Sequence, residues 1–241
     1  MSEEDEIYDD LRLPAGGDPA RPFVFVNMVS SADGRAATGG KASGIGTAAD
    51  RKVMRTLRAK ADAVMVGGGT LRAERLSLGL DAEDEGPVPL GVVLTNTGDL
   101  PLERNLVRDS RQHVLVVLAE GADRGAERRI GDVAEVRRVP TDPSGRVDLS
   151  RALRVLKTHF GVNRLLVEGG PTVNRSLISH HLADELFLTL APTLLGNDAL
   201  GAPAILGCAL NEPLNLRLLS AHLAGDELFL RYAPSGRVAP Q

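Results

Sequence analysis

Along most of the chain, short unbroken runs of apolar residues alternate with stretches in which apolar positions recur every three or four residues. Runs of the first kind predict strands buried on both faces, and the second predict helices with one buried side. FVFVNMVS at 23–30 is the first strand. TAADRKVMRTLRAK at 47–60 predicts a helix: Thr47 can cap it, Asp50 follows three residues on, and Ala49, Val53 and Leu57 share a face. DAVMVGGGT is a strand running into glycines, and LGVVLTN and HVLVVLAE are two more strands with short connections. AEVRRVP is a shorter, peripheral strand. LSRALRVLKTHF at 149–160 repeats Leu149, Leu153, Leu156 and Phe160 on one helix face. RLLVEG is the next strand and PTVNRSLISHHL the next helix.

After Ala183 the pattern changes. DELFLTLAPTLLG and DELFLRYAP, the latter at 226–234, are long strands with no helix of useful length between them. They predict antiparallel pairing at the end of the chain. The fold class is therefore α/β, a mostly parallel mixed sheet covered by helices and closed by antiparallel C-terminal strands. Leu186, Leu188, Leu190, Leu228 and Leu230 alternate along these strands, and core packing is the plainest reading. The two DELFL copies mark strand starts. No linker separates residues 21 and 234, so 21–241 is read as one domain after an acidic arm, 1–20, expected to be solvated. DAEDEGPVP is expected to be an exposed acidic loop.

The 241 residues suit one α/β domain, and 43% apolar content is enough for a large core. A net charge of −4 offers no field for nucleic acid or an acidic membrane. No apolar run approaches the roughly 18 residues of a membrane span. MSEEDEIYDD has no basic segment ahead of an apolar one, so a secretion signal is not expected. Cys208 is the single cysteine, which removes internal disulfides and thiolate metal clusters. A cytoplasmic protein is expected.

In open α/β sheets ligands lie beyond the carboxyl ends of the strands. Those ends carry Asn27, Ser30, Ser31 and Asp33; the glycine run VGGGT with Thr70; Thr95, Asn96 and Thr97; and the turn EGGPT at 168–172. Gly169 and Gly170 let backbone approach an anion, Pro171 suits a first helical position, and the helix start offers unpaired N–H groups. A phosphate fits there, and so does a tight packing turn. Glu168 follows Leu165, Leu166 and Val167 and is read as an acceptor for ligand N–H groups, or else as half of an arginine salt bridge. Asp33 before Gly34 is equally a turn former. His180 and His181 are adjacent in a helix, so they cannot face one metal ion.

With these pieces in place, the sequence resembles the reductase domain of riboflavin biosynthesis, in the dihydrofolate reductase-like superfamily. The segments are VNMVSSADGRAA, SGIGTAADRKVMRTLRAKADAVMVGGGTLRAE, PLGVVLTNTGDLP, LLVEGGPTVNRSLISHHLADELFLTLAPTLLG and GDELFLRYAP, in family order over about residues 21–234. The resemblance implies a three-layer fold, NADPH as cofactor, and reduction of a phosphoribosylamino-pyrimidine to its ribitylamino form. By position it gives Gly169, Gly170, Pro171, Thr172, Val173 and Asn174 to the cofactor phosphates. Val29, Gly67, Gly69, Thr70, Glu74, Thr95 and Asn96 become further cofactor contacts. Asn27, Ser43 and Glu168 become substrate contacts, and Arg72 or Arg75 replaces an arginine that meets the substrate phosphate. Arg72, Arg75 or Arg175 is expected to meet the extra phosphate of NADPH. Asn27, Asp33 and Glu168 are the catalytic candidates, with water ordered by Asp33 or Glu168 delivering the proton. The resemblance also implies a homodimer through the C-terminal strands. A reductase of another pteridine or carbonyl substrate, and a non-catalytic NADPH-binding protein, are the alternative readings.

Overall fold

The computed structural model describes residues 7–15, 18–36, 44–74, 78–80, 87–102, 111–196, 203–207, 209–210 and 212–235. They divide into two compact units: Met1–Pro14, Val24–Leu57 and Val167–Gln241 in the first, Ala15–Phe23 and Arg58–Leu166 in the second. The acidic stretch 81–86 lies outside the described residues.

The second unit carries β2 (Ala63–Gly67), α2 (Gly68–Ala73), β3 (Leu90–Thr95), β4 (Val114–Ala119), α3 (Arg124–Gly131), β5 (Glu135–Val139), α4 (Leu149–Phe160) and β6 (Arg164–Val167). Its strands run in the order β5-β4-β3-β2-β6. β2 to β5 pair in parallel. All six residues of β4 are buried, as its unbroken apolar run requires. Helix α4 has the predicted bounds. Asp148 caps its start by accepting from the N–H of Arg151, and Gly161 ends it in the left-handed region at φ 67°. Leu149, Leu153 and Leu156 turn inward. Helices α2 and α3 were not expected. The first grows directly out of the glycine turn, and the second is started by Asp123, whose carboxylate accepts from the N–H of Ala126 at 2.8 Å.

The first unit carries β1 (Phe23–Ser31), most of α1 (Ala48–Ala59), α5 (Pro171–Ser179), β7 (Glu185–Ala191), β8 (Leu216–Ala224) and β9 (Glu227–Pro234). Its strand order is β1-β7-β9-β8. β1 and β7 are parallel; β7 and β9 pair antiparallel as predicted, and β8 adds to β9 antiparallel. The register slips by a bulge between Leu218 and Ser220. β8 itself was missed, because LRLLSAHLA lacks a clean alternation.

One face of this sheet makes a core that the leucine spacing did not reveal. In β7 the buried residues are Glu185, Phe187, Thr189 and Ala191, while Leu186, Leu188 and Leu190 are only half-buried. Leu228 is exposed. Core packing was therefore assigned to the wrong face of the strand. Phe25, Phe187 and Phe229 fill the buried side, with the Phe25 and Phe187 rings edge to face at 5.9 Å. The arm is not wholly solvated either: Ile7 and Tyr8 are buried, and the Tyr8 ring meets Phe187 at 5.1 Å and His222 at 5.3 Å. Burial pushes the Tyr8 phenol up to about 12. No described helix is long and apolar enough to cross a membrane.

Candidate functional site

In the first unit, Glu168 lies half-buried at the start of a glycine turn. Gly169 has φ 95°, a region open mainly to glycine, and a Cβ placed there would lie 3.4 Å from the Met28 sulfur. The Gly169–Gly170 peptide is cis. Gly170 precedes α5 without a capping side chain, Pro171 takes the first helical position, and no acid occupies the first turn. The first intrahelical bond runs from the N–H of Asn174 to the Gly170 carbonyl at 3.1 Å. The N–H groups of Thr172 and Val173 come before it and have no intrahelical acceptor. Asn174 is 1% exposed. Its side-chain nitrogen reaches the Ile205 carbonyl at 3.5 Å, and its buried side-chain oxygen has no partner among the described residues. A helix start without an acid, preceded by glycine, and backed by an orphaned amide oxygen fits a phosphate and an N–H donor beside it.

Acidic groups gather on the buried face of the same unit. Asp50, in the first turn of α1, is bonded by the Thr189 hydroxyl and feels the charges of Glu227, Arg51 and Glu168. Burial pushes its acid up to about 6, and the neighbouring carboxylates add to that while Thr189 opposes it. Glu227 accepts from both the N–H and the hydroxyl of Thr47, at 3.1 and 2.5 Å. The Thr47 hydroxyl also caps α1, accepting from the N–H of Ala49 at 3.1 Å. Val29 is in register with Thr189 and Asn27 with Phe187, so Asn27, Val29 and Thr189 share this sheet face. The buried Asn27 side-chain oxygen has no partner among the described residues.

Asp33 proves to be a turn clamp. Its carboxylate accepts from the Ser31 hydroxyl at 2.6 Å and from the N–H groups of Leu195 and Gly196 at 3.1 and 2.7 Å. These bonds, Ser31 first, hold its acid down to about 2. It stays ionised at neutral pH, the state in which a carboxylate can order a water by accepting from it.

In the second unit, Gly67 ends β2 and precedes α2, Gly69 is exposed and Thr70 half-buried. Gly68 packs where a Cβ would be 3.3 Å from the Thr95 hydroxyl. That hydroxyl accepts from the N–H of Gly98 at 3.1 Å. The Asn96 side-chain oxygen accepts from the N–H of Val147 at 2.9 Å. Thr95 and Asn96 therefore shape their own turn. Glu74 ends α2, its N–H donating to the Thr70 carbonyl at 2.9 Å. Arg72 donates to the Asp99 carbonyl at 2.6 Å and lies 3.9 Å from the Asp99 carboxylate. In the first unit, Arg175 donates to the Ala209 carbonyl at 3.2 Å. Ser43 and Arg75 lie outside the described residues.

Residues 22–230 match the family described as the RibD C-terminal domain. The chain belongs to that family. The RibD-type chain is 34% identical over 186 residues to the 2,5-diamino-6-ribosylamino-4(3H)-pyrimidinone 5′-phosphate reductase of Archaeoglobus fulgidus, covering 73% of this chain and 83% of the relative. It is 28% identical to the protein of the same name from Methanothermobacter thermautotrophicus, over 90% of this chain and 100% of the relative. Its fold is also that of a pyrimidine reductase-like protein from Corynebacterium diphtheriae, with TM-score 0.79 and 22% identity over 97% and 99% of the two chains. This RibD-type chain is an oxidoreductase of the riboflavin-biosynthesis kind, and such a reductase uses a nicotinamide cofactor.

Sequence reasoning missed three polar residues of the RibD-type fold: Thr189 and Glu227, which are buried, and Asp50, which is half-buried. Asp50 was read only as a capping partner. Its signal was an acid on a helix whose next apolar positions face inward. Glu227 and Glu185 were visible in the two DELFL copies, which place each glutamate at a strand start with a dedicated partner: Thr47 for one, Arg231 for the other.

Proposed function

We propose that the protein is the NADPH-dependent reductase that converts a 5′-phosphorylated ribosylamino-pyrimidine to its ribitylamino form. The observation that carries this reading is the continuous path from Glu168 through Gly169 and Gly170 into α5. An acid and an uncapped helix start follow one another within three residues. The bound cofactor supplies hydride; the chain supplies position and charge. The N–H groups of Thr172 and Val173, with Asn174 behind them, hold the cofactor phosphates. Gly67, Gly69, Thr70, Glu74, Thr95, Asn96 and Val29 are the further cofactor contacts drawn from the resemblance. Glu168 accepts from the N–H groups of the amino-pyrimidine, and Asn27 turns its buried side-chain oxygen to the same ligand. Arg72 or Arg75 meets the substrate phosphate, which requires Arg72 to exchange an exposed contact with Asp99 for the ligand.

The protein acts as a homodimer in the cytoplasm. Leu186, Leu188, Leu190 and Leu230 are half-buried, while Leu218, Leu223 and Leu228 are exposed, an apolar area on the C-terminal strands suited to a second copy.

The test is loss of the NADPH absorbance band on adding the pyrimidine 5′-phosphate, repeated on Glu168→Gln. Expected is turnover by the native enzyme, with substrate binding lost and cofactor affinity kept in the variant. NADPH binding without consumption of any pyrimidine phosphate would sink the proposal.

A further inference from the structure

The Asp50 carboxylate is enclosed by groups from several elements. The Thr189 hydroxyl of β7 bonds it, Glu227 of β9 and Glu168 after β6 face it as like charges, and Arg51 of its own helix is the cation beside it. Gly46 packs so closely that an added Cβ would stand 2.1 Å from the Asp50 carboxylate oxygen. Glu227, 1% exposed, is committed as an acceptor to two donors of Thr47. The orphaned Asn27 oxygen points to a polar ligand on the sheet face that carries Thr189.

The half-buried Asp50 carboxyl, with two carboxylates and the Arg51 cation beside it, becomes costlier to keep charged when a ligand removes solvent from it. Glu227 is engaged by the two Thr47 donors, and Glu168 is the group placed to accept from a heterocycle. Asp50 is the member left to change state.

We propose that Asp50 is a positioning residue of the substrate site, taking up one proton from solvent when the pyrimidine settles on Glu168 and so holding the cluster's charge fixed. This rests on the placement of the substrate at Glu168 given above. The burial that already brings its acid to about 6 makes the uptake accessible near neutral pH. It also suits the chemistry. A bound nicotinamide would supply hydride to the anomeric carbon; as the ring C–O bond there breaks, the released oxygen would take one proton. A proton acquired on binding is inside the site before water is excluded.

The experiment is calorimetric titration of the pyrimidine 5′-phosphate into full-length, NADP+-saturated enzyme at pH 7, in two buffers of different ionisation enthalpy. Uptake of about one proton is expected in the native enzyme and about none in Asp50→Asn. Native affinity should fall about tenfold or more between pH 6.5 and 8, while the variant stays flat. Equal uptake in both proteins would overturn the inference while leaving the reductase reading intact, as would native binding without uptake. Absence of any native binding would overturn that reading and this inference together. Thr189→Val guards against a variant that does not fold: loss of the hydroxyl moves the midpoint of the pH dependence upward, and an unmoved midpoint refutes the role.

Discussion

Thr47 and Glu227, 180 residues apart in sequence, are joined twice: the backbone N–H and the hydroxyl of Thr47 each donate to a different oxygen of the Glu227 carboxylate. One residue thus caps α1 and ties its start to β9.

Removing either partner should be costly. Glu227→Gln weakens two charge-assisted bonds at a buried site, a loss of about 1–3 kcal/mol. Thr47→Ala removes the cap and one donor, about 1–2 kcal/mol. Because both changes strike one network, the double variant should lose at least about 0.5 kcal/mol less than the sum. Urea unfolding of the three variants measures this, and strict additivity would refute the link.

Arg231 and Glu185 form a two-pronged pair, with bonds of 2.8 and 2.7 Å beneath the Phe187 ring. Arg231→Met leaves the buried acid without its cation and should cost about 3 kcal/mol or more. Adding Glu185→Gln should recover part of that loss. A single variant as stable as the native protein would show the pair to be dispensable.

Asp50 makes stability depend on pH in an unusual direction. Its folded-state acid is raised to about 6, above the unfolded value near 3.8. The folded chain therefore keeps the proton to higher pH than the unfolded chain. The stabilisation it contributes is full below about pH 4 and disappears as the pH rises through 6, about 3 kcal/mol in all. Unfolding midpoints taken from pH 4 to 7.5 should show this fall in the native protein and a flatter profile in Asp50→Asn. Asp33 works the other way: its acid is lowered, so its contribution is lost only as the pH drops below about 4.

Leu223 and Leu228 are register partners on β8 and β9, at 63% and 39% exposure. Leu223→Arg with Leu228→Arg should convert a dimer into a monomer of near-native thermal stability. Light scattering after size exclusion measures the mass. A native monomer at micromolar concentration, or an undisturbed dimer in the variant, would remove these leucines from the interface.

The sheet and the glycine turn were legible because unbroken apolar runs such as VLVVLA and the EGGP step each have few structural solutions. The faces of β7 were not. In ELFLTLA, leucine spacing favoured the wrong side, since a glutamate and a threonine can be buried once Arg231 and Asp50 give them partners. β8 escaped because an outer strand with exposed residues has no reason to alternate cleanly. Asp50 was hidden for a related reason: spacing reveals an acid near a helix start, but only the chain's return at β7 and β9 brings Thr189 and Glu227 to it.

The bulge between Leu218 and Ser220 breaks the regular row of peptide groups along the last strand of its sheet. A straight outer rim would invite neighbours to add strand upon strand without limit. The irregularity bends that rim and spoils the match. Growth by edge is thereby discouraged, which keeps such a rim from seeding a fibre.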